Sequence, residues 1–272
     1  MTVLEVDAAS ALPTREDVMA RAGSENFPVA SLVLGRERRA HLFAIYGFAR
    51  LVDQVGDDVA GNRLALLDAV SSDLRAIWDD RWPEHPVLRA LAPTVAACSL
   101  PHEPFERLIE ANRVDQRVSR YETFDDLLGY CRLSAAPVGE LVLGVFGAAT
   151  AQRIALSDRV CAGLQVVEHL QDVAEDFRAG RVYLPAEDLR RFGCGDDDLS
   201  APTASPQLRR VIACETARSR ELLGAGVALA RTLPLRPRLA VAAVGAGGRA
   251  AVAALARSAH DVLGARPRRR RA

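Results

Sequence analysis

Two stretches of the 272-residue chain place carboxylates four residues apart inside apolar sequence of helical period. The first runs from Tyr46 to Asp57 and carries Asp53 and Asp57; the second runs from Gln165 to Asp176 and carries Glu168, Asp172 and Asp176. Spacings of i, i+3 and i+4 stack side chains on one helix face, so each stretch offers a ridge of negative charge beside an apolar surface. Like charges at that spacing cost roughly 0.2–0.5 kcal/mol per pair even in water, and partial burial raises the carboxylate pKa. A bound hard cation removes the penalty. Mg²⁺ keeps several waters and takes one or two carboxylates together with phosphate oxygens. Two such ridges facing each other would hold divalent cations and, through them, a diphosphate.

A lone acid pair says little, because 35 acids in 272 residues give about four or five such pairs by chance, mostly on solvated faces. The neighbours add weight. Phe43, Tyr46, Gly47 and Arg50 precede Asp53 at helical spacing, and Arg50 either compensates Asp53 or takes phosphate oxygens bidentately. In the second ridge Gln165, Glu168, Asp172 and Asp176 fall at i, i+3, i+7 and i+11, with Val166, Val167, Leu170 and Val173 turned to a core. Arg178, Gly180, Arg181, Tyr183, Leu184 and Pro185 follow. Gly180 can end the helix; Arg178 and Arg181 then either compensate its dipole or bind diphosphate, and the spacing leaves both open. His169 projects about 100° away from the acid stripe and is expected to pack rather than react.

The elements that must position these residues read as helices. Aromatic content is 5% and hairpin signals are missing, whereas helix formers dominate. Periodicity and punctuation predict helices over Thr14–Ala22 with Thr14 as N-cap, Arg36–Val59, Leu64–Trp78, Pro86–Cys98 and Pro104–Gln116. They continue with Phe124–Cys131, kinked through Pro137 to Phe146, then Ala151–Phe177, Ser205–Thr232 and Arg238–Leu263, with Asp196–Ser205 as a polar loop. The expected architecture is all-α: one bundle of about ten helices around a central apolar cavity, over 24–264. A segment 1–23 precedes it and a basic tail 265–272 follows.

Balanced charge, with 35 basic and 35 acidic residues, gives no push towards nucleic acid. Five scattered cysteines with no CxxC pair suit a reducing cytoplasm. The N-terminus has neither the basic start nor the apolar run of a signal peptide. The tail from Arg266 to Ala272 could touch anionic lipid at the inner face of a membrane.

These residues resemble the squalene/phytoene synthase family of head-to-head isoprenoid synthases. Tyr46, Phe48, Arg50, Asp53 and Asp57 meet its first signature; Gln165, Asp172, Asp176, Arg178, Gly180, Arg181, Tyr183, Leu184 and Pro185 meet its second. Ser24, Asn26 and Phe27 lie where the family has a phosphate-binding entry. Tyr130, Ser134, Val138 and Gly139 lie where its prenyl tunnel is lined, although small residues there also serve close helix packing. Gln54 and Glu168 depart from the commoner Asp and Asn, and His169-Leu-Gln171 replaces the usual Ile-Leu-Arg. With residues 26–31 and 136–139 these departures resemble the bacterial hopanoid-pathway branch, which contains hydroxysqualene synthase.

The resemblance implies an isoprenoid synthase bundle and two or three Mg²⁺ ions on Asp53, Asp57, Glu168, Asp172 and Asp176, bridged by a prenyl diphosphate. Arg50, Arg178 and Arg181 add charge; Tyr46 and Tyr183 flank the acids and line the cation path. Ionisation, rearrangement and water capture then turn presqualene diphosphate into hydroxysqualene. Alternatives are condensation of two prenyl diphosphates, as in presqualene diphosphate, squalene or phytoene synthases, and a non-catalytic assembly factor. Neighbouring hopanoid-pathway enzymes are implied partners. The absence of a strand before Gly245-Ala-Gly247-Gly248 argues against NADPH.

Overall fold

A computed structural model describes residues 12–19 and 35–264. Ser24, Asn26, Phe27 and the basic tail lie outside them. Among the described residues the chain is helical, without strands; one isolated parallel bridge joins Arg120 and Val182. The helices are α1 Arg15–Met19, α2 Arg36–Asp57, α3 Arg63–Arg75, α4 Pro86–Cys98, α5 Glu103–Asp115, α6 Phe124–Ser134, α7 Ala136–Val145, α8 Ala151–Arg178, α9 Ala186–Phe192, α10 Asp196–Ser200, α11 Pro206–Thr232 and α12 Leu235–Arg257. They belong to two units, residues 1–117 with 137–150, and residues 118–136 with 151–272.

The first unit is organised by α2, which packs against α1, α3, α4 and α5. Leu42, Ile45, Phe48, Leu51, Val52 and Val55 are buried along it, the 3–4 spacing of an amphipathic helix. The Phe48 ring meets Phe105 of α5 edge-on, with centroids 5.2 Å apart, a favoured aromatic geometry. Leu141 and Val145 of α7 complete this core. Thr14 caps α1 reciprocally: its hydroxyl accepts from the Asp17 N–H while the Asp17 carboxylate accepts from the Thr14 N–H.

The second unit is built on α8, which packs along α11, with α12 against both. Gly163 sits where these helices close. A Cβ there would lie 3.0 Å from the Leu222 Cβ and 3.1 Å from the Ser219 carbonyl oxygen, a backbone atom that cannot swing aside.

The structure corrects several sequence expectations. The segment expected as one kinked helix is two, since α6 ends at Ser134 with Ala135 as its C-cap and α7 begins at Ala136; Pro137 has no N–H with which to continue the helical ladder. Asp196–Ser205 contains α10, capped by the Asp198 carboxylate on the Gly195 N–H and anchored by buried Leu199. Helix α9 was not expected at all. The last helix starts three residues early, at Leu235, because Pro237 falls in its first turn, where a missing N–H costs nothing.

Gly163→Ala is expected to destabilise the protein by about 1–3 kcal/mol through overpacking. Gly224→Ala, at a helix position where a Cβ meets nothing within 4 Å, should instead be neutral or stabilising by about 0.5–1 kcal/mol. Urea denaturation of the two variants checks this; equal effects would contradict the packing described.

Candidate active site: two acid ridges

On α2, Asp53 and Asp57 are exposed on the face opposite the buried residues. Helix α5 steadies them: the Asn112 amide donates to the Leu108 carbonyl at 3.2 Å and reaches Asp53 Oδ1 at 3.5 Å. Gly56 makes this approach possible, since a Cβ there would fall 2.1 Å from Asn112 Oδ1. Gln116 Nε2 donates to the Gly56 carbonyl and Arg63 Nη2 to the Asp57 carbonyl, at 3.0 and 2.7 Å. The C-terminal carbonyls of α2 are thereby satisfied beside an acid that the helix dipole disfavours. Asn112, Gln116 and Arg63 escaped sequence reasoning.

Arg50 makes no ion pair with Asp53 among the described residues, and its Nε is buried without a hydrogen-bond partner there. An orphaned buried guanidinium N–H suits an incoming anion. Gln54, expected to matter as a departure in the first ridge, faces elsewhere: it is buried and its Nε2 donates to the Asp17 carbonyl of α1. Tyr46 is buried.

On α8, Glu168 is exposed while Gln165, Asp172 and Asp176 are half-buried, and Val166, Val167, Leu170 and Val173 are buried as expected. Burial pushes the Asp176 carboxyl up to about 7; the Asp172 charge adds to this, Arg181 opposes it, and Glu175 and Glu168 add further. Hard carboxylate oxygens crowded until one resists ionisation fit a divalent cation, which reverses that balance. Arg178 is exposed at the helix end and Gly180 has φ 81°, the left-handed region open to glycine.

His169 packs, as its position on the helix suggests, and it is also hydrogen-bonded. It is buried, stacked on Tyr183 with centroids 3.7 Å apart and planes 11° from parallel. Burial, with a smaller push from Arg181, lowers its pKa to about 3, so the ring is neutral. With the Gln165 amide donating to Nε2 at 3.2 Å, the ring proton sits on Nδ1, 3.9 Å from Asp176 Oδ2. Tyr183 also meets Tyr121 and Tyr130, giving one aromatic cluster. A void of about 10 Å³, bordered by His169, Asp176, Arg181 and Tyr183, has room for about one water. Ser134 closes α6 with its Oγ buried and lacking a hydrogen-bond partner among the described residues. Val138 and Gly139 are half-buried on α7, and Val138 packs on the core of the first unit.

The segment carrying Arg181 and Tyr183 is held from both sides. Val182 N–H donates to the Ser119 carbonyl, Ala186 N–H to Tyr121 and Glu187 N–H to Glu122, at 2.8 to 2.9 Å. Beyond it, Asp188 of α9 and Glu215 of α11 are both fully buried and share the Arg218 guanidinium. Together with Cys214 they form a trio of ligand-type atoms within 4.8 Å, but Arg218 already supplies the positive charge that a cation would bring. Burial pushes Glu215 up to about 8, Arg218 opposing and Asp188 adding. Burial thus favours the protonated form of Glu215, which is joined through Arg218 to Asp188 of α9.

The pH dependence follows from that direction. The folded state binds the Glu215 proton more tightly than the unfolded chain, so the stabilisation is full below about pH 4.5 and is lost as pH rises towards about 8. Glu215→Gln keeps the shape and carries a permanent donor. Its stability relative to wild type should rise between about pH 5 and 9, as chemical denaturation across that range will show; a parallel decline in both proteins would contradict the assignment.

Comparison with known proteins gives this geometry its family. A family model described as squalene/phytoene synthase matches residues 20–272. The hydroxysqualene synthase of Zymomonas mobilis is 36% identical over 202 residues, covering 73% of this chain and 67% of that protein. That of Rhodopseudomonas palustris is 36% identical over 210 residues, 76% and 70% respectively. Among solved structures, squalene synthase HpnC from Alicyclobacillus acidocaldarius is 42% identical, with a TM-score of 0.84 over 93% of this chain and 99% of that one. A dehydrosqualene synthase solved with a ligand shares the fold at 24% identity, with a TM-score of 0.83 over 91% and 87%. The chain is thus an enzyme of the squalene/phytoene synthase family, similar to its hydroxysqualene synthase branch.

Proposed function

We propose that this enzyme converts presqualene diphosphate and water into hydroxysqualene and inorganic diphosphate. The observation that carries the reading is a half-buried carboxylate ridge, Asp172 and Asp176, in a chain 36% identical to hydroxysqualene synthases. Asp53 and Asp57 on α2, and Asp172, Asp176 and Glu168 on α8, would hold the Mg²⁺ ions. Once bound, Mg²⁺ supplies Lewis-acid withdrawal of electron density from the leaving diphosphate.

The chain's own residues do the rest. Arg50 brings an unsatisfied buried N–H, and Arg181 is fixed by the pairing of its segment with residues 119–122; both donate to diphosphate oxygens. Arg178 adds charge from the helix end. Tyr46 and Tyr183 would line the path of the cyclopropylcarbinyl cation left behind, and the neutral His169 braces Tyr183. One admitted water adds to the rearranged cation, forming the C–O bond and releasing a proton, so no hydride donor is needed. Cysteines outside any disulfide among the described residues agree with a cytoplasmic enzyme.

Asp172→Ala is expected to lower Mg²⁺-dependent diphosphate release by at least about a thousandfold while retaining the helical circular dichroism of wild type. Unchanged release would contradict the metal role. Mass analysis of products from presqualene diphosphate, with and without NADPH, should give the alcohol in both cases. Turnover of farnesyl diphosphate but not of presqualene diphosphate would assign the condensing reaction instead. No turnover of either would favour an assembly role.

A further inference from the structure

The α11–α12 hairpin carries a surface that the proposed chemistry does not use. Four of the six exposed large apolar residues among those described lie on it: Val227, Leu235, Leu239 and Val244, with Leu235 67% exposed. A connection of only Leu233 and Pro234 joins the helices, so Val227 near the end of α11 and Leu235 and Leu239 at the start of α12 share one tip. Leu235 and Leu239 lie four apart, on one face. The opposite face of α12, including Pro237, Ala240, Gly248, Ala251 and Leu255, is buried within the unit.

The charge at this tip is one-sided. Residues 222–260 contain five arginines and no Asp or Glu, in a chain whose charges balance overall. Arg231, Arg236 and Arg238 surround the apolar tip, are exposed, and have no acidic partner among the described residues. Arg238 additionally donates to the Leu233 carbonyl, which fixes the turn. The chain then ends in a further five arginines within residues 265–272. Helix α12 also has the length and hydropathy to cross a membrane, yet its small-residue face is committed to α8 and α11.

We propose that the tip of the α11–α12 hairpin docks on an anionic lipid bilayer, with Val227, Leu235 and Leu239 entering the headgroup–acyl boundary and Arg231, Arg236 and Arg238 pairing with lipid phosphates. Exposed leucines ringed by unpaired arginines match such an interface in both polarity and charge. A protein partner of ordinary composition would bring carboxylates, but the apolar centre would then be only a few side chains wide, well below a stable interface. The basic tail adds long-range attraction that salt screens within about 10 Å. This contact rests on the surface alone and stands whichever prenyl diphosphate is the substrate.

Vesicle co-sedimentation of the full chain tests it, using vesicles of phosphatidylglycerol and phosphatidylcholine against phosphatidylcholine alone. Wild type should bind the anionic vesicles and be released by high salt or alkaline carbonate. Leu235→Glu with Leu239→Glu should weaken binding at least about tenfold, and Arg236→Glu with Arg238→Glu by a similar factor, both with unchanged melting temperature and unchanged turnover of micellar substrate. Deletion of 265–272 should keep more than half of the apolar contribution. Four outcomes overturn the proposal: equal binding by the leucine variant, loss of all binding on tail deletion, resistance to carbonate as for a spanning helix, or a wild-type dimer that the leucine variant dissociates.

Discussion

A carboxylate held half out of water beside a second carboxylate is unstable unless a cation takes the place of the missing solvent. That constraint governs α8. Asp176 is driven up to about 7 by its surroundings, which means that the fold has placed an acid where ionisation is opposed by burial and by Asp172. Such an arrangement weakens the folded state, and nothing in the packing of α8 on α11 requires it. The valines and Leu170 that hold the helix occupy the other face. The acid ridge is therefore separable from the fold, and a cation-dependent reaction is the account that gives it a use.

The same logic extends to the groups around the ridge. Arg181 and Tyr183 follow the end of a long helix, where a loop would ordinarily be loose. Backbone pairing with residues 119–122 fixes them, and the Asp188–Arg218–Glu215 cluster ties the next helix down. Arg218 donates to both acids and burial raises the Glu215 pKa, so this anchor requires no fully buried unpaired charge. On α2 the work is done by amides: Asn112 and Gln116 reach across from α5 to Asp53 and the Gly56 carbonyl. Rigid support of this kind holds reacting groups at fixed geometry.

Both ridges and the long helices were legible in the sequence because their information is local. An i, i+4 repeat inside apolar sequence states its own face, and prolines mark where helices stop. Pro86–Cys98 reads directly from its punctuation. Helix α10 did not, since five residues with one buried leucine carry too little periodicity to be seen. Asn112 was invisible because its partner is 59 residues away, and Glu215 because a buried acid looks like a solvated one in a helix rich in arginine. For His169, helical position suggests packing but does not reveal that Gln165 and Asp176, one and two turns away, lie beside the ring. The family signatures located the candidate residues; only coordinates distinguish those that support from those that are supported.

The central claim is that the α8 ridge costs the fold stability which a cation and a diphosphate restore. Equilibrium denaturation of wild type and Asp176→Asn, each with and without Mg²⁺ and inorganic pyrophosphate, tests it most directly. The account predicts that the variant is the more stable protein without ligand and gains little on adding it, whereas wild type is raised substantially. A variant that is less stable unliganded, or that gains as much as wild type, would contradict it.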